Sequence, residues 1–145
     1  MAFKFEKLKI WQGALDYVDS AYALAEQLPS KEKYNLNAQL RRAATSVALN
    51  IAEGSTGQTD AQQARFLGIA LRSLIETVAC LHLIRRRDYI PADDLNAAYR
   101  EAETLAAQIQ AMRSRLDPGR SWVREDAAHY GESLLADDHG GFADD

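Results

Sequence analysis

The side chains that could do chemistry are few, and their spacing does not suit a metal site. The three histidines, His82, His129 and His139, lie at no ligand spacing from one another or from the single cysteine, Cys80. A di-iron helical bundle needs Glu-x-x-His on its helices, and the sequence contains no such motif. The sequence therefore predicts no metal site and no cofactor.

Nucleophilic catalysis is not favoured either. Cys80 has apolar neighbours in a helical segment, where a thiol is expected to be buried and inert rather than reactive. Ser46 and Ser73 have no histidine at helical spacing. The Gly-Ser-Thr-Gly run at 54–57 lacks the lysine that a phosphate-binding P-loop requires. We therefore assign no catalytic residue and expect a non-enzymatic protein that binds a partner.

Arginines carry the remaining signal for function. Arg65, Arg72 and Arg86 share one heptad row of a long helical segment. Positive side chains also suit the C-terminal end of a helix, where the helix dipole is negative, so the triple arginine at 85–87 has a structural explanation as well. The candidate nucleic-acid-binding residues are Arg41, Arg42, Arg65, Arg72, Arg85, Arg86 and Arg87.

The net charge of −4 is unevenly distributed along the chain. Residues 117–145 hold eight acidic side chains and two arginines, whereas residues 1–116 hold 15 Lys and Arg and 13 acidic side chains. The body is thus only mildly basic, although an oligomer would repeat each basic patch. Residues 117–145 are expected to form an irregular, mobile acidic tail. Alternatively, their five large apolar residues could dock a partner, or their acids could compete with phosphates for the arginines.

Four segments of helical periodicity must position these arginines. Apolar residues recur at spacings of three and four within residues 7–28, 35–54, 60–87 and 91–116, and prolines and glycines separate the segments. Short connections require neighbouring helices to run antiparallel. The sequence therefore predicts an all-α, up-down-up-down four-helix bundle over residues 1–116, followed by the acidic tail over 117–145.

Several details of these helices can also be predicted. Asn35 and Thr59 are expected to cap the second and third helices, and Gly54 to end the second in a left-handed conformation. Leu105 is expected in the core. The core-facing seam of the first helix is predicted to consist of Leu8, Trp11, Leu15, Val18, Tyr22 and Ala25.

The third segment carries more apolar surface than one core requires. A second row of apolar residues widens its apolar face beyond the roughly 100° arc of a helix that packs on one core. The surplus indicates contact with another subunit, although a helix deeper in its own core is the alternative. The candidate oligomer-interface residues are Leu67, Leu71, Leu74, Ile75 and Val78.

The sequence does not predict export or a membrane location. The first seven residues carry charges where a signal peptide needs an apolar run. No apolar stretch is expected to approach the ~20 residues of a membrane span. The single cysteine fits a reducing compartment. We therefore expect a soluble, cytoplasmic protein with no membrane partner.

Several motifs lie within about residues 5–116, namely Leu8-x-x-Trp11-Gln12, Gln39-Leu40-Arg41-Arg42-Ala43-Ala44-x-Ser46-Val47-x-x-Asn50-Ile51-Ala52-Glu53-Gly54, Arg65-Phe66-Leu67 and Ser73-Leu74-x-Glu76. With these motifs the sequence resembles a known family, the intervening-sequence proteins encoded within inserts of bacterial 23S rRNA genes. The resemblance implies a four-helix bundle that assembles into a ring-like homopentamer. It also implies kinship with accessory proteins of diversity-generating retroelements, which bind nucleic acid and a reverse transcriptase through basic surfaces.

Two functions remain open from the sequence. In the first, the protein binds RNA or DNA through arginines repeated on a homo-oligomer. In the second, it is a scaffold with no nucleic-acid role, whose third helix builds the oligomer and whose tail docks a partner protein. The polar residues of the motif could have a structural role instead of a functional one, because residues such as Asn50 and Glu76 are well placed to cap or cross-link helices.

Overall fold

The computed structural model describes residues 2–56 and 59–118, and these residues form four helices and no strand. The helices are α1 (Lys9–Glu26), α2 (Leu36–Gly54), α3 (Asp60–Arg86) and α4 (Ala92–Leu116). Short 3-10 helices at Lys4–Lys7 and Ser30–Glu32 precede α1 and α2. The predicted all-α class with four helices is thus confirmed. The predicted acidic tail lies outside the described residues apart from Asp117 and Pro118.

The helix ends follow local sequence signals with two exceptions. Thr59 caps α3 as predicted, because its hydroxyl accepts a hydrogen bond from the Gln62 backbone N–H at 3.2 Å. Asn35 precedes α2, but its side chain makes no capping bond and instead donates to Glu32. Gly54 is the last helical residue of α2 and has no positive φ, so the left-handed ending is wrong.

Gly54 is needed for packing rather than for backbone freedom. A Cβ at this position would lie only 2.8 Å from the Cβ of Phe66 on α3. Any residue larger than glycine would force α2 and α3 apart at this point, because its Cβ and the Phe66 Cβ are both fixed to the backbone.

The core consists of two clusters of buried apolar side chains. One lies beside the α1–α2 and α3–α4 connections and includes Leu40 and Leu81. The other includes Val47 and Leu105, and Leu105 is 2% exposed, which confirms its predicted core position. Burying one such side chain contributes about 1.5–3 kcal/mol, so the two clusters hold the four helices together.

The predicted seam of α1 is wrong except at Ala25, which is buried. Leu15 and Tyr22 are 38% and 42% exposed, and Leu8, Trp11 and Val18 are only partly buried. The helix is rotated so that small side chains face the core, which lets it approach its neighbours closely. The buried residues of α1 are Ile10, Ala14, Tyr17, Ala21, Leu24 and Ala25.

The oligomer-interface assignment on α3 is wrong for its three leucines. Leu67, Leu71 and Leu74 expose 0%, 2% and 1% of their surface, because they pack in the core of their own chain. Ile75 and Val78 are partly buried against the same core. The physical reason is that α3 packs against both α2 and α4 and therefore needs apolar side chains on more than one side.

The composition of α3 also contradicts the expectation that no segment is apolar enough to span a membrane. The helix has 27 residues, and its most apolar 18-residue window has a mean hydropathy of 1.6. Of that window, 44% is buried inside the fold. A helix at the centre of a bundle can have the same length and hydropathy, and α3 packs against both α2 and α4.

Candidate nucleic-acid interface

The structure divides the seven predicted arginines between two places. Arg41 and Arg42 lie near the start of α2, and Arg85–Arg87 lie at the end of α3. Arg65 and Arg72 instead lie in the first half of α3 and line a separate cavity. Along α3, Arg65 and Arg86 are about 30 Å apart at 1.5 Å per residue, so the heptad row does not form one compact site.

The α1–α2 and α3–α4 connections contact each other through Glu32. The Tyr89 hydroxyl donates to Glu32 Oε2 at 2.9 Å, and Asn35 Nδ2 donates to Oε1 at 3.0 Å. The hydrogen bonds from Asn35 and Tyr89, together with the nearby charge of Arg87, lower the pKa of Glu32. We call the surface around this contact the connection end and define it as residues 22–42 and 85–94.

The connection end is rich in accessible positive charge. It holds seven cationic side chains and five acidic ones. Arg85 is paired with Asp88, with Nη1 and Oδ1 3.6 Å apart. The six exposed cations are Lys31, Lys33, Arg41, Arg42, Arg86 and Arg87.

Two exposed tyrosines lie among these cations. Tyr34 is 85% exposed, with Lys33 Nζ 5.4 Å from its ring centroid. The ring centroid of Tyr22, on α1, lies 6.0 Å from Arg41 Cζ. Arg41 Nε also donates a hydrogen bond to Asn37 Oδ1 at 2.8 Å. Tyr22, Lys33, Asn37 and Arg41 line a shallow cavity of about 390 Å³. Aromatic rings beside cations are the combination that single-stranded nucleic acid needs for stacking and phosphate contact.

Lys31, Lys33 and both tyrosines were not among the residues predicted from the sequence. The available signal was Lys31-x-Lys33-Tyr34, two cations and an aromatic residue in a short connection. Tyr22 could not be recognised, because its spacing placed it on the predicted core seam of α1.

The polar motif residues of α2 and α3 largely bond to each other. Ser46 Oγ and Ser73 Oγ are 2.8 Å apart, and Asn50 Nδ2 donates to the Ser46 carbonyl at 2.8 Å and to its hydroxyl at 3.1 Å. This network joins the two helices, which favours the structural alternative for these three residues. Glu53 and Glu76 are exposed.

The remaining candidate groups do not assemble into a reactive centre. Cys80 is buried as predicted, and burial, with the nearby charge of Glu76, raises the pKa of its thiol. The neutral thiol is a poor nucleophile. In the described parts of the chain, no three His, Cys, Asp or Glu side chains come close enough to hold a metal ion.

Comparison with known families gives one match. A family model described as "23S rRNA-intervening sequence protein" matches residues 6–111, which include α1, α2, α3 and most of α4. A search of curated proteins found no match. Because the matched residues make up well over half of the chain, this protein belongs to the 23S rRNA-intervening sequence protein family.

Proposed function

We propose that this protein binds RNA without catalysing a reaction, and that the connection end is the binding surface. The observation that carries the proposal is the pairing of exposed tyrosines with cations, Tyr34 with Lys33 and Tyr22 with Arg41. The family name, which refers to 23S rRNA, favours RNA over DNA as the ligand.

Each group at the connection end has a distinct role in this proposal. The arginines and lysines contact backbone phosphates and release counterions, which supplies most of the affinity. Tyr34 offers a ring on which one base stacks, worth about 1–3 kcal/mol per base. Neither contact reads a base edge, so we expect weak sequence preference.

The proposal includes an up-down-up-down order of the helices, which brings both basic connections to one end. Three contacts support this order. Asn37 Nδ2 at the start of α2 donates to the Ala25 carbonyl at the end of α1, at 3.0 Å. Gly54 and Phe66 meet where α2 ends and α3 begins. Tyr89 reaches Glu32 across the two connections.

We also propose that the chain forms a homo-oligomer, a pentamer by family resemblance. The interface must use side chains other than the buried leucines of α3. Leu15, Leu49 and Leu83 are 38%, 59% and 54% exposed and are the best apolar candidates. Native mass spectrometry of Leu15→Glu, Leu49→Glu and Leu83→Glu tests this assignment. If all three variants assemble like the wild type, these leucines do not form the interface.

A protein-interaction scaffold with no nucleic-acid role is the second candidate. The observation that favours it is a broad groove of about 670 Å³ on the outer side of α2. Leu49 is an exposed apolar residue of its lining, which also includes Arg42 and Glu53. A protein helix could bury Leu49 there.

The deciding experiment measures binding of a labelled single-stranded RNA by fluorescence anisotropy. The test variant changes Arg41, Arg42, Arg86 and Arg87 to Gln. These side chains are exposed, so the fold should be retained. We expect affinity to fall by about tenfold or more, because four phosphate contacts are lost.

A matched control carries the same charge change away from the connection end. It replaces Lys7, Lys9, Arg100 and Arg115, which are all exposed, with Gln. We expect this control to bind RNA much more tightly than the test variant. Equal losses in the two variants would mean that net charge, and not the connection end, determines binding. Unchanged binding in the test variant would leave the scaffold as the better explanation.

A further inference from the structure

A second cationic site lies between α3 and α4, away from the connection end. A cavity of about 410 Å³ is lined by Arg65 and Arg72 of α3 and by Arg113 of α4. Arg65 and Arg72 are exposed, whereas Arg113 is only 5% exposed. Among the described residues that line the cavity, Asp117 is the acidic one. Three arginine side chains therefore line one small volume.

Gly68 makes room for the guanidinium group of Arg113. A Cβ at position 68 would lie 3.1 Å from Arg113 Nη2 and 3.2 Å from Cζ. Glycine is the poorest helix former after proline, so a glycine inside α3 indicates that the close approach matters. The guanidinium of Arg113 thus packs directly on the α3 backbone, which limits its movement.

The charge of the cavity selects the kind of anion that it could take. Among the described residues of the lining, three arginines and one aspartate leave two positive charges in excess. A phosphoryl group near neutral pH carries about −1.5 to −2 charges, whereas a carboxylate carries one. The planar fork of arginine donors also matches the oxygens of phosphate. A phosphoryl group therefore fits this lining better than a carboxylate does.

We propose that the cavity between α3 and α4 binds one phosphoryl group through Arg65, Arg72 and Arg113. The site is independent of the proposed RNA surface, because Arg72 and Arg86 are about 20 Å apart along α3. The phosphoryl group could belong to a free phosphate compound or to the 5′ end of an RNA. The two sources share the same contacts and are separated by experiment.

Isothermal titration with inorganic phosphate tests the site directly. Arg65→Gln and Arg72→Gln should each weaken phosphate binding about tenfold, because each removes one charged hydrogen-bond donor group. Arg86→Gln is the matched control, since it makes the same change on the same helix outside the cavity, and it should leave binding unchanged. The proposal is overturned if phosphate does not bind saturably, or if Arg86→Gln weakens binding as much as Arg65→Gln.

A third variant tests the role of Arg113 without removing a charge. Gly68→Ala places a methyl group against the guanidinium and should displace it by a few tenths of an ångström. Since alanine favours helix, the fold should be retained while phosphate binding weakens. Unchanged binding in Gly68→Ala would show that the position of Arg113 does not matter, which would contradict the proposed site.

Short RNAs with and without a 5′ phosphate identify the source. Tighter binding of the 5′-phosphorylated RNA, lost in Arg65→Gln, supports the site and assigns it to an RNA end. Saturable binding of inorganic phosphate with equal binding of both RNAs supports the site and assigns it to a free phosphate compound. The variant with Arg41, Arg42, Arg86 and Arg87 changed to Gln should lose RNA affinity but still bind inorganic phosphate. The experiment therefore separates failure of the phosphate site from failure of RNA binding at the connection end.

Discussion

A buried pair of hydroxyl groups at the centre of the bundle gives the sharpest test of the packing. The hydroxyls of Tyr17 on α1 and Thr77 on α3 are hydrogen-bonded, and these residues are 1% and 0% exposed. Thr77 also bonds to the Leu74 carbonyl, which can only accept, so Thr77 donates there and Tyr17 donates to Thr77. Thr77→Val keeps nearly the same shape but leaves the tyrosine hydroxyl without an acceptor.

The two single variants should differ in cost. Thr77→Val leaves the buried Tyr17 hydroxyl without an acceptor, which should lower the free energy of unfolding by about 1–3 kcal/mol. Tyr17→Phe removes one hydrogen bond and should lower it by only about 0.5–1.5 kcal/mol. The double variant replaces both partners with apolar groups and should be no less stable than Thr77→Val alone. The double-mutant cycle should therefore show strong non-additivity.

Urea unfolding followed by circular dichroism measures these differences. Thr104→Val is the matched control, because Thr104 is exposed on α4 and bonds to the backbone carbonyl of Arg100. The control should change the free energy of unfolding by less than about 0.5 kcal/mol. The reasoning is refuted if Thr77→Val behaves like the control, or if the two single effects simply add in the double variant.

Three further predictions concern stability. Leu105→Ala should lower the free energy of unfolding by about 2–5 kcal/mol. Leu49→Ala, at a 59% exposed position, should change the free energy of unfolding by less than about 0.5 kcal/mol. Equal urea midpoints for the two variants would contradict the buried position of Leu105 and the exposed position of Leu49. Burial raises the pKa of Tyr17 above its ordinary 10.0, so stability should fall as pH rises above that value and the unfolded chain ionises first. In Tyr17→Phe, the melting temperature should fall less steeply as pH rises above 10.0. An unchanged dependence of the melting temperature on pH would contradict this role of Tyr17. Hydrogen bonds lower the pKa of Glu32 below 4.5, so its stabilising effect should be present above that pH and lost as pH falls through the folded-state pKa. Glu32→Gln should therefore be less stable than wild type at neutral pH, with a difference that shrinks in acid; a constant difference would argue against this role.

Much of the fold could be predicted from local signals. The four helices were located by three-four periodicity and by breaks such as Pro29 and Pro91, and their bounds agree with the structure to within a few residues. The core-facing side of α1 could not be predicted, because two of its large apolar residues, Leu15 and Tyr22, lie on the exposed side. The core side of α1 contains small residues such as Ala14 and Ala21, which allow neighbouring helices to approach closely. Tyr17 can also be buried there, because its hydroxyl donates a hydrogen bond to Thr77.

The candidate site could be predicted only in part. The arginine-rich segments were recognisable from composition, but their division into two sites depends on which helix ends meet in space. The wide apolar face of α3 was correctly recognised, yet sequence periodicity does not distinguish a second subunit from additional helices of the same chain. Leu67 and Leu71 illustrate this, since neighbouring helices of their own chain already bury them.

The salt dependence of RNA binding tests the central claim most directly. The logarithm of the binding constant should fall linearly with the logarithm of salt concentration, with a slope of about −0.7 per phosphate contact on single strands. If Arg41, Arg42, Arg86 and Arg87 each contact a phosphate, the slope for wild type should be steeper by about 3 than for the variant that changes all four to Gln. Identical slopes for the two proteins would contradict RNA binding at the connection end.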